Sequence, residues 1–265
     1  MNTANRNQAT YAAILTTFNA EQTVARAVQS ILQQRINPSE IIIIDDFSSD
    51  STLKILQDNF SHIPNLRIIV NPINSGQSYS RNIAANFATS DLIIIFDDDD
   101  ISSPDRANKH LELYAKGSDV SYVSSIKRYS DSYQISCENE DRMLVKLEPT
   151  PLLERLVLGR QSIALGETWI PASTTAFDRE YFLSIGGYDV QMRRLEDAEI
   201  IIRAAKNGCI CSWSSKILVT RMSTRSADKG GAIETEFEKL LLTKYQNLLS
   251  KSDLRLALNL IKFRD

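Results

Sequence analysis

The sequence predicts an α/β fold, a mainly parallel central sheet flanked by helices, and three observations carry that prediction. Short apolar runs rich in β-branched residues, Ile41-Ile42-Ile43-Ile44 and Leu92-Ile93-Ile94-Ile95-Phe96, read as strands buried on both faces. Segments of helical spacing separate these runs, which argues for right-handed βαβ units. Three of the strands end abruptly in polar groups: Thr16-Thr17, Asp45-Asp46 and Asp97-Asp98-Asp99-Asp100. In open sheets of this type, ligands gather outside the carboxyl ends of the strands.

The elements follow in order. Residues 11–17 are the first expected strand. Asn19, with Gln22 three positions on, is the expected cap of a helix whose apolar residues are Val24, Ala27, Val28, Ile31 and Leu32. Residues 40–44 form a second strand, and Leu53, Ile55 and Leu56 mark a short helix. Residues 66–70 are a third strand, 71–76 a turn, 78–88 a helix carrying Arg81 and Asn82, and 92–96 the fourth strand. One more strand is expected over 120–124.

Beyond Tyr129 the pattern changes. A polar loop or hairpin covers 131–141, a short helix 152–158, a strand 174–178, and a helical turn 180–185 stopped by Gly186-Gly187. Residues 196–207 are an amphipathic helix with Glu196, Asp197 and Glu199 in its first turn. Acids there are favoured by the helix dipole whether or not they have another task. Short strands are expected at 209–213 and 217–220, then a polar, glycine-containing stretch at 222–231. Residues 232–265 read as two amphipathic helices. Phe237, Leu240, Leu241, Tyr245, Leu248 and Leu249 lie on the first, and Leu254, Leu258, Leu260 and Ile261 on the second. Their apolar faces either pack back on the domain or pair in a homodimer, or they make peripheral contact with a membrane surface.

The 265 residues are 43% hydrophobic with a net charge of -3, enough chain for a sizeable core and no electrostatic footprint for nucleic acid. No apolar run approaches the ~18 residues of a membrane span, and residues 1–10 lack a signal-peptide layout, so a cytoplasmic protein is expected. Three cysteines (137, 209 and 211) and two histidines (62 and 110) offer no disulfide scaffold, zinc site or Ser-His nucleophile. Acid–base work therefore falls to carboxylates. There is no dinucleotide fingerprint and no Walker loop, and the run from Asp97 lacks the glycine and glutamate of a calcium loop. Carboxylates two apart suit Mg²⁺ or Mn²⁺ held together with substrate phosphates. The residues alone equally allow a solvated acidic turn.

Several motifs arrive in an order that resembles the family-2 glycosyltransferases of GT-A fold, over roughly residues 11–213. Ile14-Leu15-Thr16-Thr17-Phe18-Asn19 is similar to the opening strand and nucleotide loop. Glu40-Ile41-Ile42-Ile43-Ile44-Asp45-Asp46-Phe47-Ser48-Ser49-Asp50-Ser51-Thr52 is similar to the second strand and its acidic turn. Asn74-Ser75-Gly76 with Arg81-Asn82, then Asp97-Asp98-Asp99-Asp100 with Pro104, then Gly186-Gly187-Tyr188-Asp189 and Glu196-Asp197 complete the set.

The resemblance implies an enzyme that moves a sugar, with inversion, from a nucleoside-diphosphate donor (UDP-linked by expectation) to a hydroxyl of a saccharide or lipid-linked saccharide acceptor. It implies a role in bacterial polysaccharide, lipopolysaccharide or glycan synthesis, at the inner face of the membrane if peripheral. It implies that Thr16, Phe18, Asp46, Gly76, Arg81 and Asp98 contact the nucleotide, and that Asp99 ligates Mn²⁺ or Mg²⁺. Asp97 and Asp100 support that turn. Asp197 is the implied base, oriented by Glu196 and Arg203. Glu167 and Trp169 are candidate acceptor contacts, ordinary packing being the other account of them. The implied division is a nucleotide-sugar-binding half at 1–125, an acceptor-binding half at 126–221 and a helical extension at 222–265. Phe47 stands where the family has glycine, so the turn there should avoid the left-handed region or be strained. A sugar nucleotidyltransferase, or a nucleotide-sugar-binding module without catalysis, is the alternative.

Overall fold

A computed structural model describes residues 3–129, 132–136, 141–158, 170–222 and 231–262. The chain opens with a 3₁₀ turn at Thr3–Gln8, followed by β1 (Tyr11–Thr17), α1 (Val24–Leu32), β2 (Glu40–Asp45), α2 (Thr52–Phe60), β3 (Leu66–Val70), α3 (Gln77–Phe87) and β4 (Leu92–Asp97). The second half adds β5 (Ile101–Ser102), α4 (Arg106–Ala115), β6 (Val120–Arg128), β7 (Tyr133–Ser136), β8 (Arg142–Lys146), α5 (Pro149–Leu158), β9 (Thr175–Asp178) and α6 (Arg179–Ser184). It closes with α7 (Glu196–Lys206), β10 (Ile210–Met222), α8 (Gly231–Tyr245) and α9 (Lys251–Lys262).

The strands join one sheet in the order β3-β2-β1-β4-β9-β6-β10-β5, with β7 on β6 and β8 on β10. The first four strands are parallel, as expected. Beyond β4 the sheet is mixed: β9 runs antiparallel to both β4 and β6, and β5, β7 and β8 are antiparallel to their partners. Among the described strands, β6 and β10 alone continue the parallel pairing. Short βαβ crossovers impose direction on the first strands, whereas β9 follows a long connection that leaves direction free.

Alternation along the buried strands feeds two cores. Tyr11, Ala13, Leu15, Ile41, Ile43, Ile94 and Phe96 pack against α1, α2 and α4. Ala12, Ile14, Ile42, Ile44, Ile93 and Ile95 face the opposite side, towards α3, α5, α6 and α7. Leu241, Leu242, Tyr245, Ala257 and Ile261 of α8 and α9 belong to this second core, so the C-terminal helices pack back on the domain. Leu258, expected on the apolar face, is 41% exposed. No described helix is long and apolar enough to cross a membrane.

Three expectations need correction. Asn19 does not cap α1, which starts at Val24. It takes a left-handed backbone (φ 50°), and its side chain accepts from the Ser49 amide at 2.8 Å. The two short strands at 209–213 and 217–220 are one strand, β10, with an irregular register between Ser214 and Ile217. Helix α4 and the two-residue β5 were not anticipated, although Pro104 followed by Ala107, Leu111 and Tyr114 carries helical spacing. The expected loop at 222–231 lies, apart from its two ends, outside the described residues, as does Cys137.

Candidate active site

The strand order turns around between β1 and β4: β2 and β3 lie on one side, and the later strands on the other. A crevice opens at such a reversal, beyond the carboxyl ends of the strands. Register places Thr16 beside Asp97 and Thr17 beside Asp45 at that edge.

The loops after β1 and β2 are stitched together. Asn19 N–H donates to Ser48 Oγ, Ala20 N–H to Thr52 Oγ1 and Glu21 N–H to Asp50, while Ser51 N–H donates to Glu21. This lacing holds Phe18 and Phe47 outward, 47% and 54% exposed. Phe47 takes φ 67°, so of the two expected outcomes the strained left-handed one is realised.

Asp46 is buried, and its carboxylate accepts from the Asn71 side chain at 2.7 Å, the Ser75 amide at 2.9 Å and the Gly76 amide at 2.7 Å. A carboxylate has about four acceptor positions, so one remains. Gly76 takes φ 87°, which a side chain would resist, and opens α3 directly below.

The acidic turn divides in two. One carboxylate oxygen from each of Asp97, Asp99 and Asp100 lies within 4.8 Å of the others, a donor set of hard oxygens that suits a divalent cation. Asp98 faces the first loop instead and accepts from the Phe18 amide at 3.2 Å. Burial pushes the Asp98 carboxyl up to about 7, and the charges of Asp99 and Asp97 add to the rise. Asp100 is likewise pushed to about 7 by burial and by Asp97 and Asp99, and it accepts from the Met222 amide at 3.1 Å. Mutual repulsion among these acids is what a bound cation would relieve.

Arg81 connects this turn to α7. It is 1% exposed, donates to Asp97 at 2.8 Å and to Glu196 at 3.1 Å, and lies 5.2 Å from the Tyr188 ring centre. Gln77 accepts from Arg81 and donates to the same Glu196 oxygen at 2.7 Å. Burial raises the Glu196 carboxyl to about 7, with the Asp197 charge adding and Arg81 opposing. Asp197 follows in the first helical turn, where its side chain accepts from the Ala198 amide at 2.9 Å.

Most of the residues singled out in the sequence thus meet at one edge, with altered parts. Arg81 was expected beside the nucleotide, yet it is enclosed between Asp97 and Glu196. Arg203 was expected to orient Asp197. It sits farther along α7, pairing with Glu199 at 2.7 Å and donating to the carbonyls of Ile185 and Gly187. Glu167 and Trp169 lie outside the described residues. Sequence reasoning missed Arg106, buried behind the turn, which donates to the Ile95 carbonyl at 2.6 Å and stacks 4.4 Å from the Phe96 ring centre. It also missed Gln77, one helical turn before Arg81. Neither fell inside an expected element: Arg106 opens the unanticipated α4, and Gln77 is the residue before the expected start of α3.

Residues 12–176 match the family model for Glycosyl transferase family 2. The chain belongs to that family. Among glycosyltransferases, an uncharacterized Haemophilus influenzae protein is 26% identical over 192 residues, which are 72% of this chain and 60% of that one, so the chain spans less than two thirds of that relative's length. The Escherichia coli UDP-Gal:alpha-D-GlcNAc-diphosphoundecaprenol beta-1,3-galactosyltransferase is 26% identical over 215 residues, 80% of this chain and 73% of that one. The crystal structure of S. aureus TarS 1-349 in complex with UDP-GlcNAc matches with a TM-score of 0.70 and 18% identity, covering 96% of this chain and 72% of that one. The likeness shows the fold, a GT-A sheet flanked by helices.

Proposed function

We propose that this glycosyltransferase moves a sugar from a UDP-linked donor to a hydroxyl of a saccharide acceptor, inverting the anomeric carbon, in bacterial surface-glycan assembly. A lipid-linked acceptor is part of the proposal, supported by the diphosphoundecaprenol substrate that the E. coli relative's name records.

Asp46 offers its remaining acceptor position to an N–H of the base, beside Thr16 and the exposed ring of Phe18. Asp97, Asp99 and Asp100 would hold Mn²⁺ or Mg²⁺, and Asp98 the ribose. When bound, such a cation neutralises charge developing on the leaving diphosphate. Asp197 takes the proton as the acceptor O–H breaks. The oxygen–anomeric carbon bond forms on one face while the bond to the diphosphate oxygen breaks on the other, and the nucleoside diphosphate leaves. Glu196, held by Arg81 and Gln77, fixes the helix end that carries the base.

One observation carries this proposal: Arg81 bridges Asp97 at 2.8 Å and Glu196 at 3.1 Å, tying the acidic turn to the base-bearing helix. Titrating UDP with and without Mn²⁺ tests it. Affinity should rise with Mn²⁺ in the native protein and lose that dependence in Asp99→Ala. An Asp99→Ala variant whose UDP affinity still rises with Mn²⁺ would remove the metal role. A protein that binds UDP-sugars but transfers nothing would favour the non-catalytic alternative.

A further inference from the structure

The buried charge of Glu199 lies outside the roles proposed so far. Its side chain is 0% exposed, on the second residue after Asp197 in α7. Arg203 grips it with two hydrogen bonds, at 3.0 and 2.7 Å. The remaining ligands come from α8: the Lys244 ammonium, in a short contact, and the Tyr245 hydroxyl at 2.7 Å. Lys244 also pairs with Asp189 at 2.7 Å.

These contacts converge on the turn before α7. Arg203 donates to the carbonyls of Ile185 and Gly187 at 2.5 and 2.6 Å. The other side of that turn is held by Asn82, which accepts from the Tyr188 amide at 2.7 Å and donates to the Tyr188 carbonyl at 2.8 Å. Asp189, Glu199, Arg203 and Lys244 are two acids and two bases, a closed set around one buried carboxylate. A buried carboxylate that loses a cationic partner is costly, so α7 cannot shift without disturbing α8.

We infer that Glu199 and Lys244 are positioning residues. Through them α8 sets the placement of the first turn of α7, making the C-terminal helices part of the catalytic unit. The inference rests on Asp197 as base. Lys244 is part-exposed and touches neither the acidic turn nor Asp46 in any contact described above, so its loss should spare the donor site.

The test compares Lys244→Met, Lys244→Arg and Tyr245→Phe with the native protein, reading kcat, donor KM and UDP affinity in the presence of Mn²⁺. Misplacing a catalytic group by ~1 Å costs on the order of 100-fold. Lys244→Met should therefore lose roughly 10- to 100-fold in kcat with UDP affinity and donor KM unchanged. Lys244→Arg, which keeps the charge, should recover most of the loss, and Tyr245→Phe should fall between. An unchanged kcat in Lys244→Met and Tyr245→Phe would overturn the inference, as would kcat and UDP affinity falling together. Should Lys244→Met fail to fold, Tyr245→Phe alone decides. Failure of the Asp197 assignment is separable, because Asp197→Asn would then retain transfer whatever the Lys244 variants do.

Discussion

Gly187 shows how a single position can be fixed by both conformation and space. Its φ of 65° is left-handed, and a Cβ built there would lie 2.4 Å from Asn82 Oδ1, the atom that accepts from the Tyr188 amide. Gly187→Ala should lower unfolding free energy by about 1–3 kcal/mol, read from urea denaturation. The adjacent chemistry gives a pH signature. Glu196 has its carboxyl raised to about 7 from 4.5, so between those values the folded protein holds a proton that the unfolded chain has released. Its stabilising share is complete below about 4.5 and is lost as pH rises through 7. Asp98 and Asp100, both raised to about 7, act with the same sign. Glu196→Gln should therefore lose less stability than the native protein between pH 5 and pH 8, by on the order of 1–3 kcal/mol. Equal differences in the two proteins would contradict the raised pKa. The placement of Asp46 and Asp97 at strand ends and of Glu196 and Asp197 in a first helical turn was legible, because apolar runs and helical spacing mark those boundaries. Their partners were not: Arg81 meets Glu196 across 115 positions of sequence, and no local pattern encodes that pairing.

Among the elements, the buried parallel strands were the clearest in the sequence, since burial on both faces demands an unbroken apolar run. The direction of β9 was not legible, because its length and composition suit either orientation. Helix α4 was missed although it carries Arg106, which braces the carbonyl of Ile95 from below. The amphipathic pattern of α8 and α9 was plain, yet periodicity alone could not say what would cover it. The structure answers with the second of the two cores, and a pair of substitutions checks the answer. Leu241→Ala should cost about 2–5 kcal/mol, since the side chain is 0% exposed. Leu258→Ala, at an outward position, should stay within about 0.5 kcal/mol. Both are read from urea denaturation, and comparable losses would mean that α9 packs with the opposite face.

At the scale of the whole molecule, two halves of different construction meet at one edge. The parallel half brings the ends of β1, β2 and β4 together, and the mixed half delivers α7. Arg81 is where they join, buried beneath Tyr188 with one carboxylate from each side. In the proposed reaction a sugar donor and an acceptor hydroxyl have to be presented to each other, and this junction would tie the two sides together. In the proposed division of labour the two halves have separable tasks, nucleotide capture by one and proton removal by the other. Asp197→Asn tests it most directly, with UDP affinity and sugar transfer measured on the same preparation in Mn²⁺. Native UDP affinity is expected, with transfer reduced by roughly 10²- to 10⁴-fold. Transfer that survives the substitution, or UDP binding that vanishes with it, would contradict that division.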